Sequence, residues 1–280
     1  MSTDTAAAPP QHKRSAGRNL PAAIAVGLAL VGALLLCLFV VPVLFPFLVA
    51  LAMVLGGIEL IRALAAGGLR VPPVPLIGGS LAMVFATHIA GVDGLMVAMS
   101  LAICAALIWR TVQSRGPIAL RDVAASVFCL TWVPFLGCFV LLLFQQEQGA
   151  VLVLLALIVP IVNDIGGYIA GVLFGKHPMA PSISPKKSWE GFAGSMIGGV
   201  GSALAVTALF LHAPWWVGLV LGAVLVIIST AGDLCESLLK RDLGLKDMGD
   251  LLPGHGGVLD RVDSILLAAP TTYILLEVLL

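Results

Sequence analysis

From Leu219 to Leu280 the chain reads LVLGAVLVIISTAGDLCESLLKRDLGLKDMGDLLPGHGGVLDRVDSILLAAPTTYILLEVLL. Both ends are apolar, while the middle, Asp233 to Asp263, holds seven of the fifteen acidic residues and four of the fifteen basic ones. Two apolar segments enclosing one charged loop read as membrane helices whose polar ends meet on one side. If the first segment continues as helix, Asp233, Ser237, Lys240 and Arg241 fall at i, i+4, i+7 and i+8, on a single face. In His255-Gly256-Gly257 the two glycines free the backbone for positive φ and close approach to a ligand. Asp260 and Asp263 follow at i, i+3 in the first turn of the last helix. Carboxylates suit Mg²⁺ and the cations suit phosphate oxygens. The plainer reading is a solvated loop, charged where its helices leave the bilayer.

The rest of the 280-residue chain supports the membrane assignment. Hydrophobic residues make up 60% and charged residues 11%, and mean hydropathy is +1.09. These are values of an all-α polytopic membrane protein. A net charge of zero, with no interleaving of basic and aromatic residues, argues against a nucleic-acid partner. Cys37, Cys104, Cys129, Cys138 and Cys235 lie scattered in or beside apolar segments without a CxxC pair, and read as small core residues.

Residues 1–18 are polar and end basic, and are expected to form a disordered cytoplasmic tail. The apolar run from Leu20 continues past Val40 without a convincing cleavage site, which argues against a signal peptide. About nine transmembrane helices are expected. Two come from Leu20 to Ile58, split at Pro42 and Pro46. The others are near Pro73–Ala90, Leu95–Trp109, Val123–Phe144, Ala150–Phe174, Phe192–Leu211, Trp215 into the 233–241 stretch, and Val258–Leu280. Residues 19–148 then read as scaffold helices and 149–280 as the catalytic region. With the N-terminus inside, every Lys and Arg falls on the inner side, and the outer loops near Pro42, Asp93, Glu147 and His212 hold none. The positive-inside rule therefore predicts a site facing the cytoplasm.

Two further places carry polar residues of interest. Glu59 and Arg62 sit three apart at the end of the second helix and read as an ion pair. Asp164 lies deep in PIVNDIGGYIAGVLFG with no cation within a helical turn, so it needs a partner, water or a metal. Gly166, Gly167 and Gly171 beside it make a small-residue face for close helix packing. The following loop, residues 175–191, offers Lys176, Lys186 and Lys187 to phosphate oxygens, with Ser184 and Ser188 flanking Pro185. An ordinary loop binding anionic lipid heads would look similar.

Ser237-x-x-Lys240-Arg241, Lys246-Asp247 and Pro253-x-His255-Gly256-Gly257-x-x-Asp260-Arg261-x-Asp263 together resemble the signature of phosphatidate cytidylyltransferases, also called CDP-diacylglycerol synthases. A second block of that family resembles Asp164-x-x-Gly167-Tyr168, Phe174-Gly175-Lys176 and Ser184-Pro185-Lys186-Lys187-Ser188-Trp189-Glu190-Gly191. Ile165 stands where members usually carry Ser or Thr, Gly167 where Ala is common, and Ser188 where Thr is common. The resemblance covers Asp164 to Asp263.

The resemblance implies a bacterial plasma-membrane enzyme that joins CTP to phosphatidate, releasing pyrophosphate. It implies Mg²⁺ with a second cation close by, held by Asp233 and Asp260 with Asp263 next. Lys186, Lys187, Lys240, Arg241 and Arg261 are then expected on phosphate oxygens. Ser184, Ser188 and Ser237 would donate hydrogen bonds, and His255 with Gly256 and Gly257 would close over the nucleotide. Asp164, Tyr168, Lys176 and Lys246 complete the expected substrate-binding set. The expected partners are CTP, phosphatidate from the inner leaflet and the bilayer itself, with a homodimer as the candidate assembly. Two other readings stand beside this one: a related enzyme acting on an isoprenoid-ether lipid phosphate, and a secondary transporter using Asp164 and Asp233 as coupling sites.

Overall fold

A computed structural model of the protein describes residues 20–113, 119–251 and 256–279. The disordered-tail expectation for residues 1–18, the expected inner-side placement of Arg115 and the expected role of His255 lie outside the described residues.

The protein is helical, as its hydropathy requires. In chain order come α1 (Leu20–Leu35), α2 (Phe45–Ala66), α3 (Pro73–Gln113), α4 (Ala119–Leu130), α5 (Phe139–Phe144), α6 (Gly149–Phe174), α7 (Trp189–Leu209), α8 (Trp215–Asp242) and α9 (Leu259–Leu279). A π-turn at Thr131–Phe135, around Pro134, joins α4 to α5 within one span, because proline cannot donate the helical hydrogen bond at that point. Among the described residues seven helices are long and apolar enough to cross a membrane, and Ile24–Val40 is a shorter apolar helix. The protein is an integral membrane protein.

Helix α3 is one of those seven by length, yet it cannot be straight. At 1.5 Å per residue, 41 residues would run about 60 Å, twice the hydrocarbon core. The backbone leaves helical geometry at Ala90 and Gly91, where Gly91 takes φ 58°. A β-carbon built on Gly79 would lie 2.8 Å from Ala102 Cβ, so the two limbs fold back against one another. The sequence reading of two helices here, broken before Asp93, matches these limbs.

Two boundaries differ from the sequence reading. Helix α2 continues to Ala66, so Glu59 lies inside it rather than at its end. The 175–191 loop contains an antiparallel pair of strands, β1 (Pro178–Ala180) and β2 (Ser184–Ser188), a small addition to an otherwise all-α fold. Ile183 N donates to Ala180 O across the turn, and Arg241 Nε of α8 holds Ile183 O at 3.2 Å. Cys37, Cys129 and Cys138 are buried as expected, whereas Cys104 and Cys235 are exposed.

Helices α6 and α7 approach most tightly where both carry glycine. A β-carbon on Gly194 would sit 2.3 Å from Ala170 Cβ and 2.7 Å from Gly166 O. Close backbone approach of this kind is how membrane helices associate when lipid is as apolar as the helices themselves. Gly194→Leu is therefore expected to destabilise the protein by about 1–3 kcal/mol, the usual range for overpacking. A melting curve in detergent checks this, and an unchanged midpoint would show that the pair is not tightly seated.

Candidate active site

The polar residues of α6, β2, α7, α8 and α9 gather around two cavities. The first, about 240 Å³, is lined by Asp164 and Tyr168 of α6, Lys186, Lys187 and Ser188 of β2, Phe192 of α7 and Asp233 of α8, among others. Met179 and the exposed Tyr168 give it an apolar wall. Asn163 organises its floor. This buried side chain accepts from Thr230 Oγ1 (3.2 Å) and donates to Asp164 Oδ1 (3.1 Å), while its main-chain oxygen accepts from Ser195 Oγ (2.7 Å). Three helices are thereby fixed around Asp164. Asn163 is buried and bonded on both its oxygens and its amide, whereas Asp164 itself is exposed at the cavity.

Asp233 is the hinge of the charge arrangement. Its Oδ2 lies 2.5 Å from Lys187 Nζ, and its Oδ1 accepts from Ser237 Oγ at 3.3 Å. The charges of Asp164, Asp233 and Asp263 act on one another, with Lys187 and Arg261 as opposing cations near Asp164. Asp263 is buried, accepts from Ser264 N, and sits where α9 packs on Gly232 of α8. Among the described residues, no three His, Cys, Asp or Glu side chains gather closely enough to hold a metal by themselves. The expected trio of Asp233, Asp260 and Asp263 is thus not one coordination sphere. Magnesium needs less, because it is usually bound through one or two carboxylates plus substrate phosphates. Asp233 and Asp263, drawn from two packed helices, fit that demand.

The second cavity, about 320 Å³, is cationic. Ser184 and Ile183 line it from the hairpin, and Ser237, Lys240, Arg241, Gly244, Leu245 and Lys246 from α8 and the turn after it. Strand β2 and helix α8 serve both cavities. Ser184 faces the second and Lys186 to Ser188 the first; Ser237 lines the second, one turn beyond Asp233 of the first.

Not every expected phosphate ligand is available here. Lys240 Nζ is held by Glu236 Oε2 at 2.6 Å and Asp260 Oδ1 at 2.9 Å, so two carboxylates already neutralise it. Ser188 caps α7, its Oγ accepting from Gly191 N at 3.1 Å. Lys176 has an exposed side chain and lines neither cavity, while its main-chain N–H donates to Glu190 Oε2. Glu190 also takes His177 N and contacts His177 Nδ1, which pins the end of α6 to the start of α7.

At the start of α9, Asp260 accepts from Met248 N, from Gly257 N and from Lys240. Two main-chain N–H groups and the Lys240 ammonium hold its oxygens, whereas Asp233 is held by the side chains of Lys187 and Ser237. Gly256 takes φ 82°, a conformation that glycine adopts without cost. Glu59 corrects the reading of a local pair with Arg62: its carboxylate accepts from Val258 N at 3.0 Å and Leu259 N at 2.8 Å. Glu236 was missed altogether. It is buried, and its position four residues before Lys240 is the signal that could have found it.

Comparison with known proteins adds a family. Residues 21–279 match the sequence profile of the cytidylyltransferase family. The chain is similar to the phosphatidate cytidylyltransferase of Mycobacterium leprae, 43% identical over 280 residues that cover 94% of this chain and 89% of that protein. It is similar to the protein of the same name from Mycobacterium bovis, 42% identical over 284 residues covering 97% and 92%. A phosphatidate cytidylyltransferase of Staphylococcus saprophyticus is 37% identical over 188 residues, 66% of this chain and 71% of that protein.

Proposed function

The chain belongs to the cytidylyltransferase family, and from that premise we propose how its two cavities divide the work of making CDP-diacylglycerol from CTP and phosphatidate. The observation that carries the division is the difference between cavities that share β2 and α8. One is part apolar and bounded by a lipid-facing helix; the other is lined by Lys240, Arg241 and Lys246.

Phosphatidate enters the first cavity with its chains along Tyr168, Met179 and Phe192 and its phosphate toward Lys186 and Lys187. The CTP triphosphate lies in the second, against Arg241, Lys246, Ser184 and Ser237. The reacting centre is then the turn of α8 between Asp233 and Ser237. A phosphatidate oxygen forms the new bond to the α-phosphorus of CTP, the bond from that phosphorus to the bridging oxygen breaks, and pyrophosphate leaves with the electron pair. Phosphatidate is already ionised at neutral pH, so the site has no need of a strong base. Its tasks are to bring two anions together and to offset their charge. Mg²⁺, held by Asp233 and Asp263, would supply charge stabilisation on the phosphoryl oxygens. Lys187 exchanges Asp233 for phosphate as a partner.

The inner-face concentration of Lys and Arg supports a site open to the cytoplasm of a bacterial cell. In a background lacking the native cysteines, a single cysteine at Ser182 should react with an impermeant reagent only from inside. Cysteines at Gln146 and His212 should react from outside. Labelling of position 182 in intact cells would reverse the orientation.

The activity is checked with purified protein, CTP and phosphatidate in mixed micelles. Pyrophosphate and CDP-diacylglycerol should appear in equal amounts. Turnover of an isoprenoid-ether lipid phosphate in preference to phosphatidate would change the lipid. Absence of turnover with any lipid phosphate, together with solute uptake in vesicles, would replace the enzyme by a transporter.

A further inference from the structure

Glu59 lies on α2, in the half of the chain that carries no part of the recognised signature, and is 1% exposed. A carboxylate buried among apolar helices is costly unless it is fully bonded. Its partners are not on α2. They are Val258 N and Leu259 N, at 3.0 and 2.8 Å. These belong to the start of α9, where a helix leaves its first amides without acceptors and its dipole is positive. Glu59 therefore caps α9 from 199 and 200 residues away in sequence.

The fit around it is close. A β-carbon on Gly249 would lie 2.4 Å from Glu59 Oε1, and one on Gly257 would lie 2.6 Å from Oε2. The chain thus passes the carboxylate on both sides, at the two ends of the segment that contains His255. Asp260 grips the same two ends through Met248 N and Gly257 N. Asp263 follows one turn later.

We propose, on the reading of the active site given above, that Glu59 is a positioning residue: it sets the height and rotation of the first turn of α9 and thereby the place of Asp263 opposite Asp233. It lines neither substrate cavity, so its effect falls on turnover and not on substrate capture. The N-terminal helices are in this way part of the catalytic unit.

The test uses full-length Glu59→Gln, Glu59→Asp and Glu59→Ala in detergent. It reads kcat and both KM values per folded molecule, and amide exchange in the peptide spanning residues 256–262. Misplacement of a catalytic group by about 1 Å can cost about 100-fold, and Glu59→Ala should lose kcat on that scale. Its KM for phosphatidate should stay within about twofold, since no contact to the first cavity is removed. Exchange at Val258 and Leu259 should rise. Glu59→Gln keeps one acceptor but turns an NH₂ toward the other amide, and should fall between. Glu59→Asp keeps the charge one methylene short, and should recover part of the loss. Unchanged kcat in Glu59→Gln and Glu59→Ala overturns the proposal, as does a loss matched by loss of folded protein, or failure of all three variants to fold. An inactive wild type removes the reaction reading and this role with it; an active wild type beside fully active variants removes this role alone.

Discussion

Asp233→Asn should lower kcat by about 10³-fold or more while leaving the protein folded. The side chain lines the first cavity one helical turn from Ser237 of the second, faces Lys187, and shares its field with Asp164 and Asp263. Asparagine keeps the shape and one oxygen but removes the charge that a divalent cation requires. Losing several kcal/mol of charge stabilisation in the transition state corresponds to about three orders of magnitude in rate. Folding should suffer little, because Asp233 is about a third exposed and the substitution relieves repulsion among carboxylates even as it frees Lys187. The measurement is steady-state turnover across a Mg²⁺ titration, paired with a melting curve. Turnover above a tenth of wild type at any Mg²⁺ concentration would remove Asp233 from the reacting centre.

Lys187→Ala should be the next most damaging change, costing about 100-fold or more in kcat/KM, the usual effect of removing one donor aimed at developing negative charge. Its side chain is about a quarter exposed, so solvent does not screen it as it would a surface lysine. Without it, three carboxylates face the incoming phosphate with one cation fewer. Lys187→Arg should recover only part of the loss, since a planar guanidinium does not replace a point charge at a 2.5 Å pair. The Asp233→Asn, Lys187→Ala double variant should be scarcely worse than the worse single one, because the two act as a unit. Lys13→Ala serves as the silent control. Normal kinetics in Lys187→Ala would make the hairpin a membrane anchor and nothing more.

The sequence disclosed the helices and the region of the site more fully than the pairings within it. Apolar length and charge placement located α6, α7, α8 and α9 to within a few residues, and the break before Asp93 split α3 at its reversal. Helix α2 was read short because Glu59 looked like its end. The acceptors that make Glu59 tolerable there lie on α9, and no local spacing reports a partner 199 residues away. The same holds for Lys240 and Asp260. Both have the right chemistry for phosphate and metal, yet they bond each other across α8 and α9. Lys187 and Asp233 are likewise joined only by the fold. Spacing picked out residues with the chemistry such a reaction needs; packing decides how they pair.

The apolar wall of the first cavity carries a consequence for how the enzyme must be measured. Tyr168 is 73% exposed on a flank of α6 where Ile165, Val172 and Leu173 are exposed as well. A substrate arriving past that flank travels in two dimensions, so the quantity that saturates the enzyme is the mole fraction of phosphatidate in its bilayer or micelle. Adding inert detergent at constant total phosphatidate should slow the reaction, while adding micelles of unchanged composition should not. The rate in a cell would then follow the lipid make-up of the leaflet, even with CTP abundant in the water beside it.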